Sequence, residues 1–111
     1  MAVTATQSRT DQVVTPDDID AAARRIGDIV RSTNLDASDR LSEMTGARIL
    51  LKREDQQAVR SYKIRGAYNL MAQLTGDERS AGVVTASAGN HAQGVAFACR
   101  SLEINGRIYV P

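Results

Sequence analysis

Lysine is scarce in this sequence. Of the 14 Lys and Arg residues only Lys52 and Lys63 are lysines, so an amine nucleophile would have to be one of these two. Lys52 sits at the end of an apolar run beside Arg53, Glu54 and Asp55, where a solvated ion pair accounts for it. Lys63 lies in Ser61-Tyr62-Lys63-Ile64-Arg65-Gly66-Ala67, at the junction of a loop with a helix. Backbone and helix dipole could hold a cofactor against its amine there; an ordinary surface lysine is the other reading the pattern allows. A second stretch, Val84-Thr85-Ala86-Ser87-Ala88-Gly89-Asn90-His91, reads as strand, small-residue turn and helix start. Small side chains let a ligand come close to the main chain, and the opening helix aims unpaired N–H groups and a positive dipole end at it, which makes a cradle for an anion. A plain helix N-terminus capped by Ser87 or Asn90 fits the same residues. Gly89 and Gly94 belong to neither a dinucleotide fingerprint nor a nucleotide phosphate loop, because Gly94 is followed by Val-Ala and no Gly-x-Gly is present.

Composition excludes several other chemistries. One Cys and one His cannot build a structural zinc site or an internal disulfide. Cys99, in an apolar segment, reads as a small core side chain, and its solitary thiol fits a reducing cytoplasm. His91, in the first turn of a helix, reads as solvent-facing or capping. The net charge is +1, with 8 basic and 10 acidic residues over 1–55 and 6 and 3 over 56–111, too slight a bias for nucleic acid. Ser80 to Cys99 is uncharged, but Ser87, Asn90, His91 and Gln93 interrupt it with groups that hydrocarbon would penalise, so it reads as buried and no membrane segment is expected. The start, residues 1–14, has no apolar signal stretch and reads as a flexible tail.

The elements that must position these residues follow from capping signals and periodicity. Thr15-Pro16-Asp17-Asp18 is a strong helix start, and Ile19, Ala22, Ala23, Ile26, Ile29 and Val30 recur at helical spacing, predicting a helix over 16–31. Ser38-Asp39 opens a shorter helix that Gly46 closes. Ile49 to Leu51 predicts a strand, Gln56 to Arg60 a polar connection, and Gly66 to Leu74 an amphipathic helix ended by Gly76. Gly82 to Ala86 predicts a strand buried on both faces, His91 to Leu102 a helix apolar on nearly all sides, and Arg107 to Val110 a last strand. Helices and strands in alternation make the fold class α/β, with 83–86 and 108–110 as neighbouring parallel strands joined by a helical crossover. So few strands leave wide sheet edges and an uncovered apolar helix, so further sequence, or a partner chain, is expected to complete the layer.

Taken together, Leu51-Lys52-Arg53-Glu54-Asp55, the Ser61 to Ala67 segment and Ser87-Ala88-Gly89-Asn90-His91-Ala92-Gln93-Gly94 resemble, in order and spacing, the threonine dehydratase (threonine deaminase) family. Those are pyridoxal 5'-phosphate enzymes with the tryptophan-synthase-β fold. The resemblance runs from about Thr15 to Pro111. Val59-Arg60-Ser61-Tyr62-Lys63 is more similar to the isoleucine-biosynthetic form than to the catabolic form or serine racemase, which typically show Thr-Gly-Ser-Phe-Lys. Asn34 stands where relatives often have proline, a departure in a loop.

The resemblance implies part of a three-layer parallel-sheet fold, with 15–111 as the N-terminal part of the catalytic domain. It implies that Lys63 is the Schiff-base lysine and removes the substrate's Cα proton. Asn90 would hydrogen-bond the cofactor's 3' oxygen, Tyr62 would pack near its ring, and Ser87, Ala88, Gly89, Asn90 and His91 would receive the substrate carboxylate. The implied reaction is β-elimination from threonine or serine to 2-oxobutanoate or pyruvate and ammonia, the first step towards isoleucine. The implied protein is cytoplasmic and homo-oligomeric at full length. The family's glycine-rich phosphate tetrad and the serine on the pyridine nitrogen have no counterpart here, so these residues alone are expected to be inactive. Two other readings stay open, a serine racemase or serine dehydratase of the same family and a non-catalytic fragment that binds an anion or a complementing chain.

Overall fold

A computed structural model describes residues 13–111. Of the expected N-terminal tail, residues 1–12 lie outside the described residues, and Val13 and Val14 are exposed chain without regular structure. Helix α1 (Pro16–Ile26) opens on a complete capping box: Asp18 N–H donates to the Thr15 hydroxyl, and the Asp18 carboxylate accepts from Thr15 N–H. It stops five residues short of the expected end. Gly27 and Asp28 lead into a turn in which the Ile29 and Val30 N–H groups both donate to the Ile26 carbonyl, so these two apolar residues are half-buried by a turn and not by a helical stripe.

Strand β1 (Leu35–Ala37), helix α2 (Asp39–Thr45) and strand β2 (Leu50–Lys52) form a small unit, with β1 and β2 antiparallel and Leu35 opposite Lys52. The α2 caps are those expected: Ser38 accepts from Leu41 N–H and Gly46 takes a left-handed φ of 69°. A single 3-10 turn (Glu54–Gln56) then leads to helix α3 (Lys63–Met71), which starts three residues before the expected Gly66 and ends three residues before the expected Leu74. Ile64, three residues before Ala67 and 0% exposed, extends the apolar stripe back to the first turn. Gly76 does not close α3 but opens a further helix, α4 (Gly76–Ala81), under a second capping box between Thr75 and Glu78. The signal was the Thr-x-x-Glu spacing itself.

Strands β3 (Val83–Ala86) and β4 (Gly106–Tyr109) pair in parallel, with Val83 opposite Gly106 and Ala86 opposite Tyr109, on either side of helix α5 (Asn90–Leu102). Burial on both faces of β3 is corrected: Val83 and Thr85 are half-buried, whereas Val84 is 70% exposed, because a two-stranded sheet leaves one face open. Nor is α5 covered on all sides; Ala96 is exposed. Gly82 begins β3 at φ 81°, where a Cβ would come within 2.7 Å of the Asn105 carbonyl oxygen. The core lies between α3, α5 and the sheet and comprises Ala67, Met71, Val95, Ala98 and Ile104, with Val83, Cys99 and Leu102 packed around it. Cys99 is a half-buried thiol raised by that burial, in line with a packing role. No helix among the described residues is long and apolar enough to cross a membrane.

The tightest approach in this core is between α5 and the start of α3. Gly94 is buried, and a Cβ there would lie 3.0 Å from the Lys63 carbonyl oxygen, 3.1 Å from its carbonyl carbon and 3.3 Å from the Ile64 nitrogen. These are main-chain atoms and cannot swing aside. Helix propensity alone would make Gly94→Ala stabilising by about 1 kcal/mol. The close approach reverses the sign: Gly94→Ala is expected to destabilise the protein by about 1–2 kcal/mol, as overpacked cores do. Urea unfolding of the two proteins checks this, and an unchanged or higher midpoint for the variant would contradict the packing described.

Candidate active site

The two lysines meet different surroundings. Lys52 is exposed, and its Nζ donates to the Thr33 carbonyl oxygen. The carboxylates expected to pair with Lys52 pair elsewhere: Arg53 bridges Asp36 and Asp55 at 3.0 and 2.8 Å, and Glu54 takes Arg65. Lys63 is the first residue of α3 and half-buried. Among the described residues its Nζ makes no hydrogen bond or ion pair, and it stands 5.1 Å from the centroid of the Tyr62 ring, which is itself exposed. Of the two amines, Lys63 is therefore the one without a hydrogen-bond partner among the described residues.

The segment that delivers Lys63 is heavily constrained. Gln57, Val59 and Ser61 are buried while Ala58, Arg60 and Tyr62 are exposed, so the chain alternates although it is not a strand. Gln57, 1% exposed, substitutes for a strand partner: its side chain accepts from Arg31 N–H at 2.9 Å and donates to the Arg31 carbonyl at 2.8 Å. Arg60 takes a left-handed φ of 58° and donates its N–H to the Gln57 carbonyl. For a residue with a side chain this conformation costs about 1 kcal/mol, and the buried neighbours on both sides hold it in place. The Ser61 hydroxyl accepts, at 3.4 Å, from the Lys63 N–H.

At the other stretch the Ser87 hydroxyl accepts from the N–H groups of Gly89 and Ala92, each at 3.3 Å, so Ser87 caps α5 from outside its first turn. The capping role left open for Ser87 is thus present, and Asn90 does not share it. The N–H groups of Ala88, Asn90 and His91 have no acceptor among the described residues. Ala88, Gly89, Asn90 and His91 are exposed, and a Cβ on Gly89 would meet nothing within 4 Å, so the cradle is accessible. His91 borders an apolar cleft of about 280 Å³ lined also by Leu70, Met71, Val83 and Val95.

Gly94 packs α5 directly against the Lys63 peptide, and that contact sits one helical turn beyond Asn90 on α5. No hydrogen bond joins Lys63 to Ser87, Asn90 or His91 among the described residues. Gly94 is the packing residue whose contact the sequence reading does not give; there it is a member of the Ser87 to Gly94 motif and a glycine of no phosphate loop. An apolar face that repeats around a glycine was the available signal.

The donor set suits a cofactor carrying an aldehyde and an acidic substrate: one amine with no hydrogen-bond partner among the described residues, beside an aromatic ring, and main-chain donors without an acceptor at the start of α5. Residues 26–111 match the family of pyridoxal-phosphate dependent enzymes. The chain belongs to that family. L-threonine dehydratase biosynthetic IlvA of Mycobacterium leprae is 67% identical over 94 residues, which are 85% of this chain and 22% of that protein. The Bacillus subtilis protein of the same name is 54% identical over 90 residues, 81% of this chain and 21% of its own length. The chain thus spans about a fifth of the curated relatives it matches. Among solved structures, maize serine racemase superposes with TM-score 0.81 at 36% identity, covering 90% of this chain and 31% of that one. The processed threonine deaminase isoform 2 of Solanum lycopersicum gives 0.70 at 40% identity, with 88% and 28% covered. These neighbours place the chain in an α/β pyridoxal-phosphate fold of which it spans a part.

One carboxylate holds the Lys63 segment together and titrates. Glu54 accepts two hydrogen bonds of 2.8 Å from Arg65 and one of 2.7 Å from the Thr33 hydroxyl, with Gln57 at 3.4 Å. Arg65, chiefly through those hydrogen bonds, holds the Glu54 pKa down at about 2 from an ordinary 4.5, burial opposing and Thr33 and Gln57 assisting. A carboxylate lowered on folding adds stability that is present above its unfolded pKa and is lost as pH falls through the folded one. The protein is therefore expected to lose on the order of 2 kcal/mol from this group between about pH 4.5 and 2. Acid titration of the unfolding free energy should be shallower over that window in Glu54→Gln; identical curves would contradict the assignment.

Proposed function

We propose that the protein carrying this chain is a pyridoxal-phosphate-dependent threonine dehydratase that converts L-threonine to 2-oxobutanoate and ammonia, and L-serine more slowly to pyruvate. Residues 15–111 are the N-terminal part of its catalytic domain, in a cytoplasmic, homo-oligomeric protein. The observation that supports the reading is the Lys63 amine, without a hydrogen-bond partner among the described residues, on a residue whose peptide packs against Gly94 of the helix whose opening turn presents free N–H groups. The likeness to biosynthetic threonine dehydratases supports the substrate.

In this reading Lys63 Nζ would hold the cofactor through its aldehyde group and would serve as the base for the proton on the substrate's Cα. The bound pyridine ring supplies an electron sink for the charge left at that carbon. The N–H groups around Ala88 and Gly89 bind and orient the substrate carboxylate, with the positive end of α5 behind them. The Asn90 side chain would hydrogen-bond the cofactor's 3' oxygen, Tyr62 would pack near its ring, and Ser87 and His91 would complete the carboxylate pocket. Orientation is the chain's main contribution, since a substrate bound by its carboxylate presents its Cα hydrogen to Lys63 in one arrangement only.

The superposition on maize serine racemase favours one second reading, a racemase or dehydratase acting on serine. Product analysis separates the two: 2-oxobutanoate from threonine is expected to exceed pyruvate from serine, and D-serine as main product would overturn the first reading. Borohydride reduction of the protein with pyridoxal phosphate is expected to label Lys63, and Lys63→Ala is expected to lose both the label and all measurable turnover. A label on Lys52, or activity retained in Lys63→Ala, would reject the role given to Lys63.

A further inference from the structure

We propose that the Glu54 carboxylate, with Arg65 and Thr33, is a positioning clamp that aims Lys63 and keeps Lys52 out of the reaction. The proposal rests on the role given to Lys63 above. Glu54 lies nine residues before Lys63 and Arg65 two residues after it, so their paired hydrogen bonds at 2.8 Å close residues 54–65 into a loop with Lys63 near one end. A two-pronged guanidinium–carboxylate contact fixes orientation as well as distance. Arg65 belongs to the first turn of α3, and a rotation of that turn would redirect the side chain two residues earlier. From the other side, Gly94 packs against the Lys63 peptide and the buried Ile64 sits in the same turn, but neither contact reaches the exposed side of the turn. The pair supplies what Gly94 cannot.

Thr33 gives the clamp its second function. It is buried, its hydroxyl donates to Glu54 Oε1 at 2.7 Å, and its carbonyl accepts from Lys52 Nζ. The group that aims one lysine thereby anchors the residue that occupies the other. Glu54 and Arg65 are placed as positioning residues: neither carries the reacting amine, and they are distinct from the cradle at Ser87 to His91.

The test uses the whole protein and reads the rate at which borohydride-trappable pyridoxal phosphate accumulates on Lys63, well below each variant's unfolding midpoint. Glu54→Gln and Arg65→Lys are expected to slow labelling of Lys63 about tenfold or more, the scale of misplacing a reacting group. Combining them should slow it little further, since both break one contact. Thr33→Val, a milder change, should slow Lys63 labelling less and raise the share of label on Lys52. Ile104→Val, in the core beside β4, controls for lost stability alone and should label Lys63 as the wild type does. If the clamp variants label at the rate of Ile104→Val while Lys63→Ala takes no label, the clamp is structural only and the proposal fails with the Lys63 role intact. If the unaltered protein takes no label on Lys63, the reading beneath the proposal fails first.

Discussion

The packing of helix α5 on the first peptide of helix α3 governs the rest of the molecule. It depends on a missing atom: at Gly94 a methyl group would press on the Lys63 carbonyl, and with hydrogen in its place the two helices meet main chain to side. That contact sets the peptide of Lys63, whose amine has no hydrogen-bond partner among the described residues, against the helix whose first turn has donors to spare. Burial elsewhere follows from it. Ile64 is sealed, and Ala67, Ala98 and Met71 are buried in one core cluster.

Around that contact the chain spends several polar groups on holding a loop still. Gln57 pairs with a peptide as a strand would, Arg60 sits in a left-handed conformation, and Glu54 gathers Arg65 and Thr33. Such strain and buried polarity are destabilising taken singly and are found where a side chain must be aimed. On the α5 side the demands are the opposite: Ser87 uses its hydroxyl to satisfy two N–H groups and leaves the others open. One half of the site is fixed by saturated hydrogen bonding and the other is receptive because its hydrogen bonding is incomplete.

Much of this was legible in the sequence, for definite reasons. The α1 and α2 starts were readable because a cap is a local contact between residues three apart, and the β3–α5–β4 unit because a short apolar run followed by an apolar helix has few other solutions. The three motifs gave the family, and Lys63 and the Ser87 to His91 turn were singled out before any contact was known. The end of α1 was missed because Ile29 and Val30 keep helical spacing while being buried by a turn. Helix α4 was missed because Gly76 was weighed as a stop signal and its capping box was not. Strand β1 carries too few residues to show a period, and its pairing with β2 is set by α2 between them. The roles of Glu54 and Arg65 were out of reach for a different reason: they are long-range contacts, and composition along the chain does not report which residues meet.

The account stands on Lys63 and the opening turn of α5 sharing one site. A crystal structure of the whole protein with pyridoxal phosphate bound measures this most directly. Continuous density is expected between Lys63 Nζ and the cofactor's aldehyde carbon, with the N–H groups of Ala88, Asn90 and His91 facing the same cavity. Density joined to Lys52, or a cofactor on the far side of the β3–β4 sheet from the α5 N-terminus, would contradict it.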